Sequence, residues 1–134
     1  MTRTFVDAGL LIAAARGNHE AHSRAQGVLG DPLREFVSSD FVKLEVLPKA
    51  IYHKSNPEAD FYEEFFRSVA VMVPIDHQLS GTAYAEAVSS GLSAVDSLHV
   101  AAAHLGGAEE LVTTEKETKP IHRTRRIKVV TIRP

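Results

Sequence analysis

Four carboxylates stand where carboxylates are rarely tolerated. Asp7 ends the apolar run Thr4-Phe5-Val6, Glu45 interrupts VKLEVL, Asp96 lies in the nearly uncharged stretch SAVDSLHVAAA, and Glu115 closes LVTTE. Carboxylates inside or at the ends of apolar elements need compensation. Local satisfaction is one form of it. Asp7 then caps the helix that follows, Asp96 serves as a helix cap or hydrogen-bond anchor, and Glu45 and Glu115 pair with Lys43, Lys49 or Lys116. The other form brings all four to one edge of a sheet, where a divalent cation neutralises their repulsion. Oxygen-only ligands with waters completing an octahedron suit Mg²⁺ or Mn²⁺. Such an ion cuts phosphodiesters by binding the scissile phosphate, lowering the pKa of an attacking water and stabilising the leaving oxygen.

Other side chains are weighed against this set. Thr113 and Thr114 offer hydroxyls to a carboxylate or phosphate, with Thr114 placed first because it adjoins Glu115, although threonine also simply favours strands. Glu117 is a supporting acid behind Glu115. His99, three residues after Asp96, reads as a core or boundary histidine that shares Asp96's side. The seven histidines form no zinc pattern. With no cysteine, thiolate metal sites, disulfides and cysteine nucleophiles are excluded. No nucleophile elbow or glycine-rich phosphate loop is present, and Gly106-Gly107 reads as a helix stop. Between residues 116 and 128, Lys116, Lys119, Arg123, Arg125, Arg126 and Lys128 face only Glu117, in a chain whose net charge is -2. That asymmetry fits a nucleic-acid edge beside an acidic pocket, and equally a solvated loop or the footprint of an acidic partner.

The elements that must position these residues are short. Strand signals fall at Thr4–Val6, Phe36-Val37, Val71–Val73, Leu111–Thr113 and Ile127–Ile132, with helical patterns between them. The second helix is predicted over residues 19–29. Ser39 or Asp40 caps FVKLEVLPKAIYHK, whose stripe is Leu44, Leu47 and Ile51, and Pro48 is predicted to kink or end that helix. Asn56 and Pro57 open a helix with Phe61, Phe65, Phe66 and Val69 on its apolar face, a surface also suited to a partner or dimer contact. Asp76 caps residues 77–89, and Gly91 breaks the chain before Ser93–Leu105. Strands alternating with helices predict one three-layer α/β/α sandwich over residues 1–134 with a mostly parallel central sheet. Asp7 and Glu115 then sit at its carboxyl edge, where open sheets bind ligands. No segment is long and apolar enough for a membrane span, and the opening MTRTFVDAGLL makes a poor secretory signal, so a soluble cytoplasmic protein is expected.

Taken together, FVDAGLLIAA, FVKLEVLPKA and LSAVDSLHVAAAHLGGAEELVTTEKE resemble the three acidic motifs of the PIN-domain family, which includes the toxins of VapBC-type toxin–antitoxin pairs. The resemblance runs from Thr4 to about Ile132 and is weakest over residues 56–90. It implies Mg²⁺ or Mn²⁺ held by Asp7, Glu45, Asp96 and Glu115, and hydrolysis of RNA, with Lys116, Lys119, Arg123, Arg125 and Arg126 as nucleic-acid contacts. It further implies a small antitoxin filling the groove and frequent homodimers. Two departures are visible: Glu115 stands where many members have Asp, and TKPIHRTRRIK replaces a segment that is often aromatic. A non-catalytic RNA-binding or protein-interaction domain that retains the acids is the alternative.

Overall fold

A computed structural model describes residues 1–134. Five strands form one sheet: β1 (Thr2–Val6), β2 (Arg34–Ser39), β3 (Val71–Val73), β4 (Glu110–Thr113) and β5 (Lys128–Thr131). Their order is β3-β2-β1-β4-β5 and every neighbouring pair is parallel, so the sheet is parallel throughout. Parallel neighbours need crossovers, which the helices α1 (Ala8–Ala15), α2 (His22–Leu29), α3 (Asp40–Tyr52), α4 (Asn56–Ser68), α5 (His77–Ser90) and α6 (Ala94–Leu105) supply. Helices α1 to α4 pack among themselves, and α5 packs on α6. Right-handed crossovers that run first one way and then the other from β1 place these groups on opposite faces. The expected three-layer sandwich is realised. A 3₁₀ turn at Pro120–Arg123 lies within the β4–β5 crossover.

Side-chain caps set the helix starts that matter for the site. Asp7 caps α1, Ser39 caps α3, Asp76 caps α5 and Ser93 caps α6, each accepting a backbone N–H three residues on. Other boundaries depart from expectation. Residues 17–21 form turns before α2, and the cap position of α4 is Ser55 rather than Asn56. Pro48 sits inside α3 without ending it. It is exposed, so its ring and the unmet carbonyl at residue 44 face water rather than neighbouring chain.

The core also reassigns two apolar stripes. On α3 the inward residues are Val42, Val46, Leu47 and Ala50, while Leu44 and Ile51 are more than half exposed. On α4, Tyr62, Phe65 and Phe66 are buried and Phe61 partly so. The aromatic helix therefore fills this chain's own core and is not the free partner surface expected of it. The exposed apolar face is instead the outer side of α3: Leu44, Pro48, Ile51 and Tyr52. Gly106, just past α6, permits a close approach, since a Cβ there would stand 2.4 Å from Val37 Cγ1 on β2. No helix is long and apolar enough to cross a membrane.

Candidate active site

In this strand order, β1 is central, and the chain's direction of travel reverses between β1 and β4. The crevice outside the carboxyl ends of those two strands is the topological switch point of the sheet. Asp7 follows the last residue of β1, and Thr113 is the last residue of β4. Their side chains meet there: Thr113 Oγ1 donates to Asp7 Oδ2 at 2.5 Å, and Asp7 Oδ1 accepts the Leu10 N–H at 2.9 Å. Asp7 thus caps α1 with one oxygen while the other points into the switch point. Thr113 is fully buried and also accepts the Glu115 N–H at 3.0 Å, which fixes the backbone of the turn carrying that acid. The hydroxyl that reaches Asp7 is therefore Thr113's. Thr114 lies against Gly9, where a Cβ would stand 2.7 Å from Thr114 Oγ1. β4 ends at Thr113, as its strand signal does, so Glu115 does not close the strand but lies with Glu117 in the exposed turn beyond it.

Asp96 lies in the first turn of α6, half-buried, with its N–H bonded to the Ser93 hydroxyl at 3.2 Å. Burial pushes the Asp7 carboxyl above the usual carboxylate range. The Thr113 bond, His99 and the Leu10 N–H oppose that rise, and Glu115 adds to it. Asp96 is also raised by burial, with His99 opposing, Glu115 adding and Ser93 opposing. Asp7, Asp96, Glu115 and His99 therefore share one electrostatic neighbourhood.

Glu45 enters it through His99. The imidazole is buried between Phe5 and Phe41, with Nε2 3.1 Å from Glu45 Oε1. The two atoms are close but poorly aligned, and Glu45 Oε1 remains buried without a directed hydrogen bond, as does His99 Nδ1. Neither Glu45 nor Glu115 pairs with Lys43, Lys49 or Lys116. No three of the acidic and imidazole groups stand close enough to enclose one ion as a finished cage. Mg²⁺ does not require a cage, because it keeps several waters and takes one or two carboxylates. An oxygen-only donor set, Asp7 Oδ2 aimed into the switch point and two carboxyls raised by burial fit such an ion.

The basic tract divides. Lys116 and Lys119 border a cleft with Thr114 and Glu115, beside the acids. Arg123, Arg125 and Arg126 border a separate cleft against α5. Arg126 is engaged there, its Nε donating to Oε1 of the buried Glu86 at 3.1 Å. Sequence reasoning missed Glu86. Burial raises its carboxyl, but bonds from Ser90, Thr124 and Arg126 outweigh burial and hold it below the usual range. Arg133 was also missed; its Nε donates to Thr114 O at 2.6 Å and its guanidinium pairs with Glu20, bracing the same turn.

A family model described as the PIN domain matches residues 4–125. No curated protein matches the chain significantly. Among solved structures, VapBC2 from Rickettsia felis bound to a promoter DNA fragment superposes with a TM-score of 0.71 at 14% identity, covering 98% of this chain and all of that one. A toxin–antitoxin complex from Klebsiella pneumoniae gives 0.69 at 21% identity, covering 96% of each chain. VapC20 from Mycobacterium tuberculosis, described as a toxin that cleaves the sarcin–ricin loop, gives 0.62 at 17% identity, covering 87% of this chain and 92% of that one. At these identities the superpositions speak for the fold.

Proposed function

The chain belongs to the PIN-domain family, and from that premise we propose that it is a Mg²⁺- or Mn²⁺-dependent ribonuclease of the toxin type, acting in the cytoplasm. The observation that carries this reading is the meeting of Asp7 and Thr113 at the switch point, in one electrostatic neighbourhood with Asp96 and Glu115. Asp7, Glu45 and Asp96 would hold the cation, in part through its waters, since no three of these groups stand close enough to ligate one ion directly. Glu115, with its longer and exposed arm, acts through water or orients the attacking water, with Glu117 in support. When bound, the cation supplies a water of lowered pKa and charge stabilisation at the phosphate. The Thr113 bond opposes the rise that burial imposes on Asp7 and aims its carboxylate, Thr114 offers a hydroxyl at the rim, and Lys116 and Lys119 draw the RNA backbone toward the acids.

Incubation with a mixed RNA pool, with and without Mn²⁺, tests the activity. The expected result is divalent-dependent product ends that Asp96→Asn abolishes. Cleavage that persists in that variant or in excess chelator refutes the mechanism.

The toxin assignment adds a partner: a small protein that places an Arg or Lys among the acids, satisfying them as the cation does and competing with it. A homodimer belongs to the same reading, and the outer face of α3 supplies an apolar surface for protein contact. Expression of the chain alone is expected to arrest growth, relieved by Asp96→Asn; harmless accumulation of a demonstrably active enzyme counts against a toxin. One observation favours the rival reading of a non-catalytic RNA-binding domain, namely that no three acids are gathered for direct ligation. That rival predicts salt-sensitive RNA binding with no divalent-dependent cleavage.

A further inference from the structure

The cleft between α5, the end of α6 and residues 120–126 has a volume of about 770 Å³, and no hydrophobic residue lines it. Its size is that of a ligand cleft. No Phe, Tyr, Trp or aliphatic wall lines it and His104 is its one ring, so charge rather than a stacking platform dominates what it offers a strand. Three guanidinium groups, from Arg123, Arg125 and Arg126, face one carboxylate, Glu86, so the lining is net positive.

The arginines are not equivalent. Glu86 is 2% exposed and accepts from Ser90 Oγ at 2.5 Å, Thr124 Oγ1 at 3.0 Å and Arg126 Nε at 3.1 Å. This buried hub ties the loop to α5 and withholds Arg126. Arg123 makes only a long bond, 3.4 Å, to Gly91 O, and Arg125 is exposed and forms no hydrogen bond or ion pair. Two adjacent residues of this segment reach toward the acid edge: His122 Nε2 lies 3.1 Å from Glu115 O, and Arg123 bonds Gly91 O, two residues before the Ser93 cap of the helix carrying Asp96.

We propose that this cleft is a sequence-independent rail for the phosphodiester backbone of a single strand leading to the acidic site, gripped by Arg123 and Arg125, with Arg126 and Glu86 as its fixed support. The proposal rests on nucleic acid being the substrate, but its test does not read cleavage. Binding of a fluorescein-labelled 12-nucleotide oligouridylate is followed by anisotropy in EDTA from 50 to 300 mM KCl. Each phosphate contact on a single strand adds about 0.7 to the slope of log affinity against log salt. Arg123→Ala/Arg125→Ala should flatten that slope by about 1.4, and Arg125→Ala alone, which breaks no internal bond, by about 0.7. Lys49→Ala on α3 should leave it unchanged. An unaltered slope in the folded arginine variants overturns the rail. So does displacement of the strand by 10 mM inorganic phosphate at constant ionic strength, which would mark a single-ion pocket, or equally tight binding of polyglutamate, which would mark a site for acidic protein. A chain that binds as described yet cuts nothing in Mn²⁺ upholds the rail and sinks the nuclease reading.

Discussion

Replacing Thr113 with Val keeps the shape of the side chain and removes one hydroxyl at the centre of the site. Two bonds go with it: the 2.5 Å bond given to Asp7 Oδ2, and the 3.0 Å bond accepted from the Glu115 N–H. A hydrogen bond to a charged group contributes roughly 1.5–3 kcal/mol and a neutral one roughly 0.5–1.5, while the added buried methyl returns about 0.8. The net loss is about 2.5 kcal/mol, a large part of the roughly 5–15 kcal/mol that holds such domains folded. In a domain of this size it lowers Tm by about 10 °C. The loss should also depend on pH, and the sign follows from the raised pKa of Asp7. The folded chain binds that proton more tightly than the unfolded chain, so in metal-free buffer this group makes stability fall as pH rises from the unfolded pKa through the folded one. The Thr113 bond restrains the rise. Without it the window widens upward, and the deficit of Thr113→Val grows with pH and shrinks once Asp7 is protonated in both proteins. Urea denaturation in EDTA, followed by circular dichroism at pH 7 and pH 4.5, measures both quantities, with Thr113→Ser expected to recover most of the loss. A cost below about 0.5 kcal/mol at pH 7, under a third of the smallest charged-group contribution, would refute the reasoning. An equal cost at both pH values would do so as well.

Asp96→Asn, besides silencing cleavage, should raise Tm of the metal-free protein at neutral pH, because burial disfavours the charge it removes; the gain should vanish in acid, where the native carboxyl is already protonated. Mn²⁺ should then lift Tm of the native chain more than that of the variant, as binding to the folded state alone requires. Gly106→Ala puts a Cβ 2.4 Å from Val37 Cγ1 and 3.1 Å from Val73 Cγ2. It should cost about 2–3 kcal/mol by overpacking, read by urea denaturation, with Mn²⁺ affinity unchanged. Truncating Glu86 to Ala should cost about 2 kcal/mol in the same assay, below the roughly 3–5 kcal/mol for breaking a fully buried pair because Arg126 can still turn to water.

What was legible in the chain was whatever a short window contains. A β-prone run ending in Asp7 with a helix directly after it places an acid at the carboxyl edge of a sheet. The caps of α3, narrowed to Ser39 or Asp40, and of α5 at Asp76 announce themselves within four residues, whereas Ser93 reads as the first residue of α6 rather than its cap. On α3, however, two apolar stripes overlap. Leu44, Leu47 and Ile51 match helical spacing as well as Val42, Val46 and Ala50 do, and only the neighbouring elements decide which one turns inward. Thr113 and Thr114 stand on either side of the end of β4, and adjacency to Glu115 favours Thr114, whereas the partner that decides for Thr113 lies just past the end of β1, 106 residues away. Glu86 escaped notice because Thr124 and Arg126 are 38 and 40 residues away. The pairing of His99 with Glu45 is likewise a product of two helices meeting, without trace in either segment alone.

The bond between Asp7 and Thr113 joins residues 106 positions apart, and β1 takes its β4 neighbour at the same remove, Thr4 beside Glu110. Such non-local pairings are slow to form. At about 5–20 residues per second, synthesis needs roughly 5–20 s to travel from the first acid to its hydroxyl partner. Throughout that interval β1 can rest only against β2, and the crevice has one wall. The turn bearing Glu115 is secured later still, when Arg133 reaches the Thr114 carbonyl and the Ile132 N–H reaches Thr113 O. A growing chain thus carries Asp7 apart from its hydroxyl partner, and the crevice gains its second wall and its braced turn only after β4 and the strand beyond it have been made.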